Sequence, residues 1–271
     1  MDVNEAIRKE AAIRRYSERT IETYQNCVNR FFQYCGKEAR EVTKKDIREF
    51  LENLSEKSAG ATIHVYLNAI KFFFEDVLRR NMRIDIRYSR RPKKLPQVLS
   101  KEEVKRLIYS IQNHKHKLMI SMMYSAGLRV SELINLKAKD LNFKEKYGYV
   151  RGGKGNKDRI FIISEKIERA LMSICLGKNK DDYVFITNRN DKYNVASLQQ
   201  IIKKAARNAR IDKRVSCHTL RHSFATHLIE NGYSLNEVQA LLGHKSPETS
   251  MIYVHIASPK MINAKSPLDS L

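Results

Sequence analysis

Through the first ~90 residues, apolar side chains recur at three- and four-residue steps and nowhere alternate, a pattern that predicts helices rather than strands. One stripe runs through Ile21, Tyr24, Val28, Phe31, Phe32 and Cys35, and Gly36 supplies a C-terminal stop. Thr43 with Asp46 forms a capping box ahead of Ile47, Phe50, Leu51 and Leu54. A third stripe takes in Ile63, Tyr66, Leu67, Ile70, Phe73, Phe74, Val77 and Leu78. Together they predict a small helical bundle. The periodicity then breaks at IDIRYSRRPKKLPQVLS, where Pro92 and Pro96 favour extended chain. Ser100 with Glu103 makes a new capping box and opens a helix containing Val104, Leu107, Ile108 and Ile111.

From Tyr147 the texture changes. Two β-prone runs, YGYVRG and KDRIFII, flank a glycine turn and read as a hairpin, and DYVFIT at 182–187 reads as a further strand. Helical patterns return in SLQQIIKKAARNAR, HTLRHSFATHLIEN, SLNEVQALLG and PETSMIYVHI. The expected fold class is mainly α with a small β-sheet (α+β): an N-terminal helical bundle plus a larger, mixed but mostly helical second domain. The boundaries expected are 1–84 for the first domain, 85–97 for a basic linker and 98–271 for the second domain.

Composition narrows the class. The chain's 271 residues suffice for two modest domains, and 42% hydrophobic residues can build cores. No stretch approaches the ~18–20 apolar residues of a membrane span, and the acidic, apolar-poor N-terminus argues against a signal peptide. A cytoplasmic, nucleoid-associated protein is expected. Cys27, Cys35, Cys175 and Cys217 show no CxxC pairing, so they read as reduced packing residues. The formal net charge is +21, with +7 on residues 1–95 and +14 on the remainder, so both halves favour a polyanion. Such a spread fits a protein that wraps a duplex and releases counterions from each neutralised phosphate. In the linker, Arg87, Arg90, Arg91, Lys93 and Lys94 form either a solvated tether or a strap along a phosphate backbone.

Several residues could carry chemistry. GGKGNK at 152–157 lacks the GxxxxGK[ST] pattern and lies within the hairpin, which rejects nucleotide binding. Lys154, at the hairpin tip, is either a solvated turn lysine or a side chain that reaches a DNA groove. His218 and His222, four apart, are a possible metal pair, but no HExxH glutamate or carboxylate cluster accompanies them. His218 and Arg221, three apart, share a helix face and suit a phosphodiester. Arg129 follows Ala126-Gly127 and opens VSELINL, with Glu132 one turn along; alone it reads as a salt-bridged surface arginine. Gly243 would end one helix and leave His244 on a tight turn, and Tyr253, taken alone, reads as a core aromatic.

In order, AGLRVSELINL, the GKG hairpin lysine, HTLRHSFATHL, LLGH and a tyrosine nine residues after that histidine resemble the tyrosine recombinase family, and within it the Xer recombinases most. The resemblance covers nearly the whole chain. It implies that the N-terminal bundle is a core-DNA-binding domain and the remainder a catalytic domain. It further implies that Arg129 and Arg221 clamp the scissile phosphate and that Tyr253 attacks the phosphorus with His218 as base. Lys154 would protonate the departing 5′ oxygen, His244 would hydrogen-bond the phosphate, and Glu132 would position the arginines. The implied activity is site-specific recombination of double-stranded DNA through a 3′-phosphotyrosyl intermediate, by a tetramer on paired sites, with a DNA translocase as a further partner. Neither metal nor ATP nor another cofactor is implied. The role would be chromosome or plasmid dimer resolution, with chromosome partition and cell division as its setting. Rival readings are a mobile-element integrase, a type IB topoisomerase, a non-catalytic helix-based DNA-binding protein and a metallonuclease built on His218 and His222. The tail HIASPKMINAKSPLDSL either dangles or docks on a neighbouring protomer.

Overall fold

Most helices begin where the chain supplies a side-chain cap. The computed structural model describes residues 2–58, 60–82, 84, 95–151 and 158–243. Asp2 accepts from the backbone N–H of Asn4 at 2.8 Å and opens α1 (Val3–Ile13). Ser17 caps α2 (Glu18–Cys35), and Gly36 closes it. The expected Thr43–Asp46 box opens α3 (Lys44–Lys57): Thr43 N–H donates to Asp46 at 2.8 Å and Asp46 N–H to Thr43 at 3.3 Å. After α4 (Gly60–Lys71) the chain widens into a π turn over Phe72–Val77, closed by Leu78 N–H onto the Phe73 carbonyl at 2.9 Å. The wider turn lets three consecutive rings bury. Phe72 meets Tyr16 and Tyr24, Phe73 meets Phe32, and Phe74 meets Phe31 and Phe32. Helix α1 was not foreseen, because its buried anchors are only Ile7 and Ala11 and make too sparse a stripe.

By chain contacts the molecule divides into two units, 1–93 and 94–271, each with its own principal core. In the second unit the Ser100–Glu103 box opens α5 (Lys101–Tyr109), followed by α6 (His114–Ser125) and α7 (Val130–Asn135). Strands β1 (Leu141–Asn142), β2 (Tyr147–Val150) and β3 (Arg159–Ile162) form an antiparallel sheet in sequence order. The expected hairpin is β2–β3, with Gly148 opposite Phe161 and Val150 opposite Arg159; its turn, 152–157, lies outside the described residues. Helices α8 (Glu165–Cys175), α9 (Val195–Asn208), α10 (Cys217–Glu230) and α11 (Leu235–Leu242) complete the described part. The helical segment expected around Tyr253, the C-terminal tail and linker residues 85–94 lie outside it.

The expected strand at 182–187 is instead an irregular segment. Tyr183 and Ile186 make only isolated bridges, to Lys137 and Lys192, while consecutive Val184 and Phe185 are both buried. Burying neighbours together breaks the alternation a strand requires. Helix α10 packs on α6, α9 and α11 and buries nearly every position from Thr219 to His227, so it runs through the middle of the unit. Two of its interior polar groups are paired: Ser223 donates to the Thr219 carbonyl at 2.8 Å and accepts from Leu99 N–H at 2.9 Å, and the His227 ring meets the Tyr124 hydroxyl at 2.8 Å, whereas the buried Thr226 hydroxyl has no partner among the described residues. All four cysteines are free, and burial pushes the Cys27 and Cys217 thiols up to about 11, which leaves both inert.

Candidate active site

Arg129 stands at the N-cap of α7, where the chain has just turned through Gly127. Its backbone N–H donates to Glu132 Oε2 at 2.8 Å, and its Nη1 donates to Glu132 Oε1 at 2.6 Å. The far end of that glutamate is buried. Its Oε2 also accepts from Arg159 Nη2 at 2.7 Å, and Arg221 Nη1 lies 3.8 Å away. Burial pushes the Glu132 carboxyl up, but the Arg159 charge, the Arg129 N–H and the two guanidinium hydrogen bonds outweigh it and hold the group below the usual carboxylate range. One ionised carboxylate therefore organises three arginines.

Arg221, one turn into α10 and only 3% exposed, donates to two main-chain carbonyls: Gly127 at 2.5 Å and Leu242 at 2.5 Å. Arg159 donates to the carbonyl of Leu241. Both cations thus sit at the C-terminal end of α11, where unpaired carbonyls concentrate negative charge. Gly243 ends that helix with φ +61°, and a Cβ there would stand 2.8 Å from Arg159 Cδ. The next residue in the chain is His244.

His218 lies one turn before Arg221. Partial desolvation, then the charges of Arg221 and Arg129, hold its imidazole below the ordinary histidine pKa. His222 is 6.5 Å away, ring to ring, and burial, His218 and Arg221 push it down to about 4. Both rings are neutral near pH 7, so His218 can take up a proton beside two fixed positive charges. Among the described residues no group of three or more His, Cys, Asp or Glu could hold a metal ion, and no helix is long and apolar enough to cross a membrane. A cleft of about 610 Å³, lined in part by Lys203, Arg207, Lys213 and Arg214, reaches Ser216, the cap of α10.

The structure therefore brings Arg129, His218 and Arg221 together around Glu132. Lys154, His244 and Tyr253, with Arg87, Arg90, Arg91, Lys93 and Lys94, lie outside the described residues. Arg159 was missed by the sequence reading. Alternation along RIFI permits either face, and only pairing with β2 turns Arg159 and Phe161 inward and leaves Ile160 and Ile162 exposed.

Residues 97–259 match the model of the phage integrase family. The chain belongs to that family. Residues 4–84 of this recombinase also match the phage integrase N-terminal SAM-like domain. It is 35% identical to a tyrosine recombinase of Thermosipho africanus, over 94% of each chain. It is 34% identical to the tyrosine recombinase XerA of Pyrococcus horikoshii, over 92% of this chain and 87% of the relative. Among solved structures, XerA recombinase shares 31% identity at a TM-score of 0.57, covering 97% of this chain and 98% of the other. XerH bound to difH substrate in a pre-cleavage complex shares 27% at 0.72, covering 92% and 79%. This chain is thus a tyrosine recombinase of Xer-like type, and the expected mainly helical fold with a small sheet is the one observed.

Proposed function

We propose that this recombinase cuts and rejoins duplex DNA at a specific site through a 3′-phosphotyrosyl intermediate on Tyr253. The observation that carries the reading is the buried Glu132, which holds Arg129 beside Arg221 and His218. Arginine offers a rigid, permanently charged fork matched to phosphate oxygens, so Arg129 and Arg221 clamp the non-bridging oxygens and stabilise charge that builds in the transition state. The Tyr253 phenol, with a reference pKa of ~10, is protonated at neutral pH and loses its proton to His218 as its oxygen attacks phosphorus. The P–O5′ bond breaks, Lys154 protonates the departing 5′ oxygen, and His244 hydrogen-bonds the phosphate. A 5′ hydroxyl from another strand then displaces the tyrosine and reverses each proton transfer. The adduct keeps the phosphodiester bond energy, so no ATP is consumed.

In this reading residues 1–84 form the core-DNA-binding domain, 85–97 the basic linker and 98–271 the catalytic domain. Four protomers act on paired duplex sites. The basic cleft of Lys203, Arg207, Lys213 and Arg214 supplies further phosphate contacts. The biological role is Xer-like resolution of chromosome or plasmid dimers in the cytoplasm, in support of chromosome partition and cell division, with a DNA translocase as partner. Names among the relatives support it: XerA, XerD and XerH, the last bound to difH substrate.

The test is covalent capture. A library of nicked duplexes with randomised arms is incubated with the protein, and denaturing gels read protein joined to DNA. Capture that survives EDTA and disappears in Tyr253→Phe, with DNA affinity retained, is expected. Adducts in the Phe variant would overturn the nucleophile, and cleavage lost in EDTA and restored by a divalent ion would favour a metallonuclease.

A further inference from the structure

We infer that Arg159 is a positioning residue of this site: it bridges Glu132 to the C-terminal end of α11 and thereby holds Arg221 at the longer edge of the shared ion pair, turned toward the phosphate. The inference rests on the reading that Arg129 and Arg221 hold that phosphate.

The geometry makes Arg159 the common member of three segments. Its backbone lies on β3, and Lys154 precedes it by five residues in the sequence. One end of its guanidinium donates to Glu132 Oε2 at 2.7 Å, and the other donates to the Leu241 carbonyl in the last turn of α11. The stem passes under Gly243, the residue before His244. Because a guanidinium is flat and rigid, its two bonds cannot be adjusted independently. Strand β3, the helix that Arg129 opens and the end of α11 are therefore held in one register. With the side chain 6% exposed, water does not substitute for either bond.

Competition for Glu132 gives the arrangement its consequence. Oε2 already accepts from Arg129 N–H and Arg159 Nη2, while Oε1 accepts from Arg129 Nη1. Arg221 Nη1 makes the longer ion pair with Oε2, at 3.8 Å, and donates to the Gly127 carbonyl. Without Arg159, Oε2 would lose its short cationic donor in a buried place, and with Arg129 Nη1 engaged on Oε1 the longer ion pair of Arg221 is the one left to close on Oε2. A guanidinium drawn onto Glu132 would be neutralised there and misaligned for the phosphate, and misplacement by ~1 Å can cost ~100-fold in rate. A purely architectural ion pair would act otherwise, lowering stability and DNA binding together while leaving the chemistry of the folded fraction unchanged.

The experiment compares the full-length parent with Arg159→Lys and Arg159→Met on a nicked duplex that the parent captures. Three quantities are measured: thermal midpoint, DNA affinity and single-turnover adduct rate from pH 5 to 9. Both variants should bind within about threefold of the parent yet form adduct roughly 10- to 100-fold more slowly. In Arg159→Met the acid limb of the rate profile should move to higher pH, because the positive charge that bonds Glu132 Oε2 directly is gone, leaving Arg129 and Arg221 beside it. If Arg159→Met does not fold, Arg159→Lys carries the test through its split between rate and affinity, since an ammonium cannot span both partners. Variants that match the parent's rate overturn the inference alone. Rate and affinity falling in equal measure with an unmoved pH profile do the same. A parent that forms no adduct overturns the proposed function and takes this inference with it.

Discussion

Gly127 lies against the ring of Phe224: a Cβ at position 127 would stand 2.5 Å from Phe224 Cδ1. The same glycine has φ +56° and gives its carbonyl oxygen to Arg221, three residues before Phe224 on α10. One helix thus grips the turn that delivers Arg129. Gly127→Ala should combine left-handed backbone strain with overpacking, a loss of about 2–5 kcal/mol. A melt should show a midpoint lower by at least ~5 °C. An unchanged midpoint would mean that the turn can slide away from the ring.

Arg129→Lys and Arg221→Lys keep the charge but lose the fork. Each should slow adduct formation by about two orders of magnitude, the equivalent of a transition-state contact worth roughly 3 kcal/mol, while DNA affinity changes far less. The two quantities are read separately, by single-turnover gels and by titration. A Lys variant that cleaves at the parent's rate would remove that arginine from the clamp.

The pH dependence of stability follows from the histidines. His116, His218, His222 and His227 all have folded pKa values below the ordinary value, burial being the leading cause for each. Above ~6.5 they are neutral in both states and contribute fully; below it the unfolded chain takes up protons first, so stability falls as the pH drops. For His222 the loss runs from ~6.5 down to its folded value of about 4. Denaturant titrations between pH 7 and 4.5 should show the decline, and His222→Gln should flatten it by up to one proton. Parallel curves for parent and variant would show that His222 binds its proton equally well in both states.

Salt reports the phosphate contacts. Affinity should fall steeply with ionic strength, because a chain of net charge +21 displaces counterions from many phosphates. Neutralising Arg87, Arg90, Arg91, Lys93 and Lys94 together should make the slope of log K against log[salt] shallower. A slope identical to the parent's would leave the linker as a tether.

What the sequence by itself determined was local. The helix starts at Thr43–Asp46 and Ser100–Glu103 are legible because a capping box closes within four residues. The β2–β3 hairpin is legible because its two β-prone runs flank a glycine turn. Arg129, His218 and Arg221 stood out through their neighbours in ordered motifs. Tertiary structure alone decided what those side chains meet. Alternation along β3 cannot say which face is inward, and only pairing with β2 buries Arg159. The family resemblance implies that Glu132 positions the arginines, but that its carboxylate is shared with Arg159 emerges only when β3 arrives from 27 residues away. Burial of neighbouring Val184 and Phe185, which broke the expected strand, is likewise a matter of packing. Caps and turns depend on atoms a few bonds apart along the chain, whereas an ion pair in the core depends on which distant segments the core brings together.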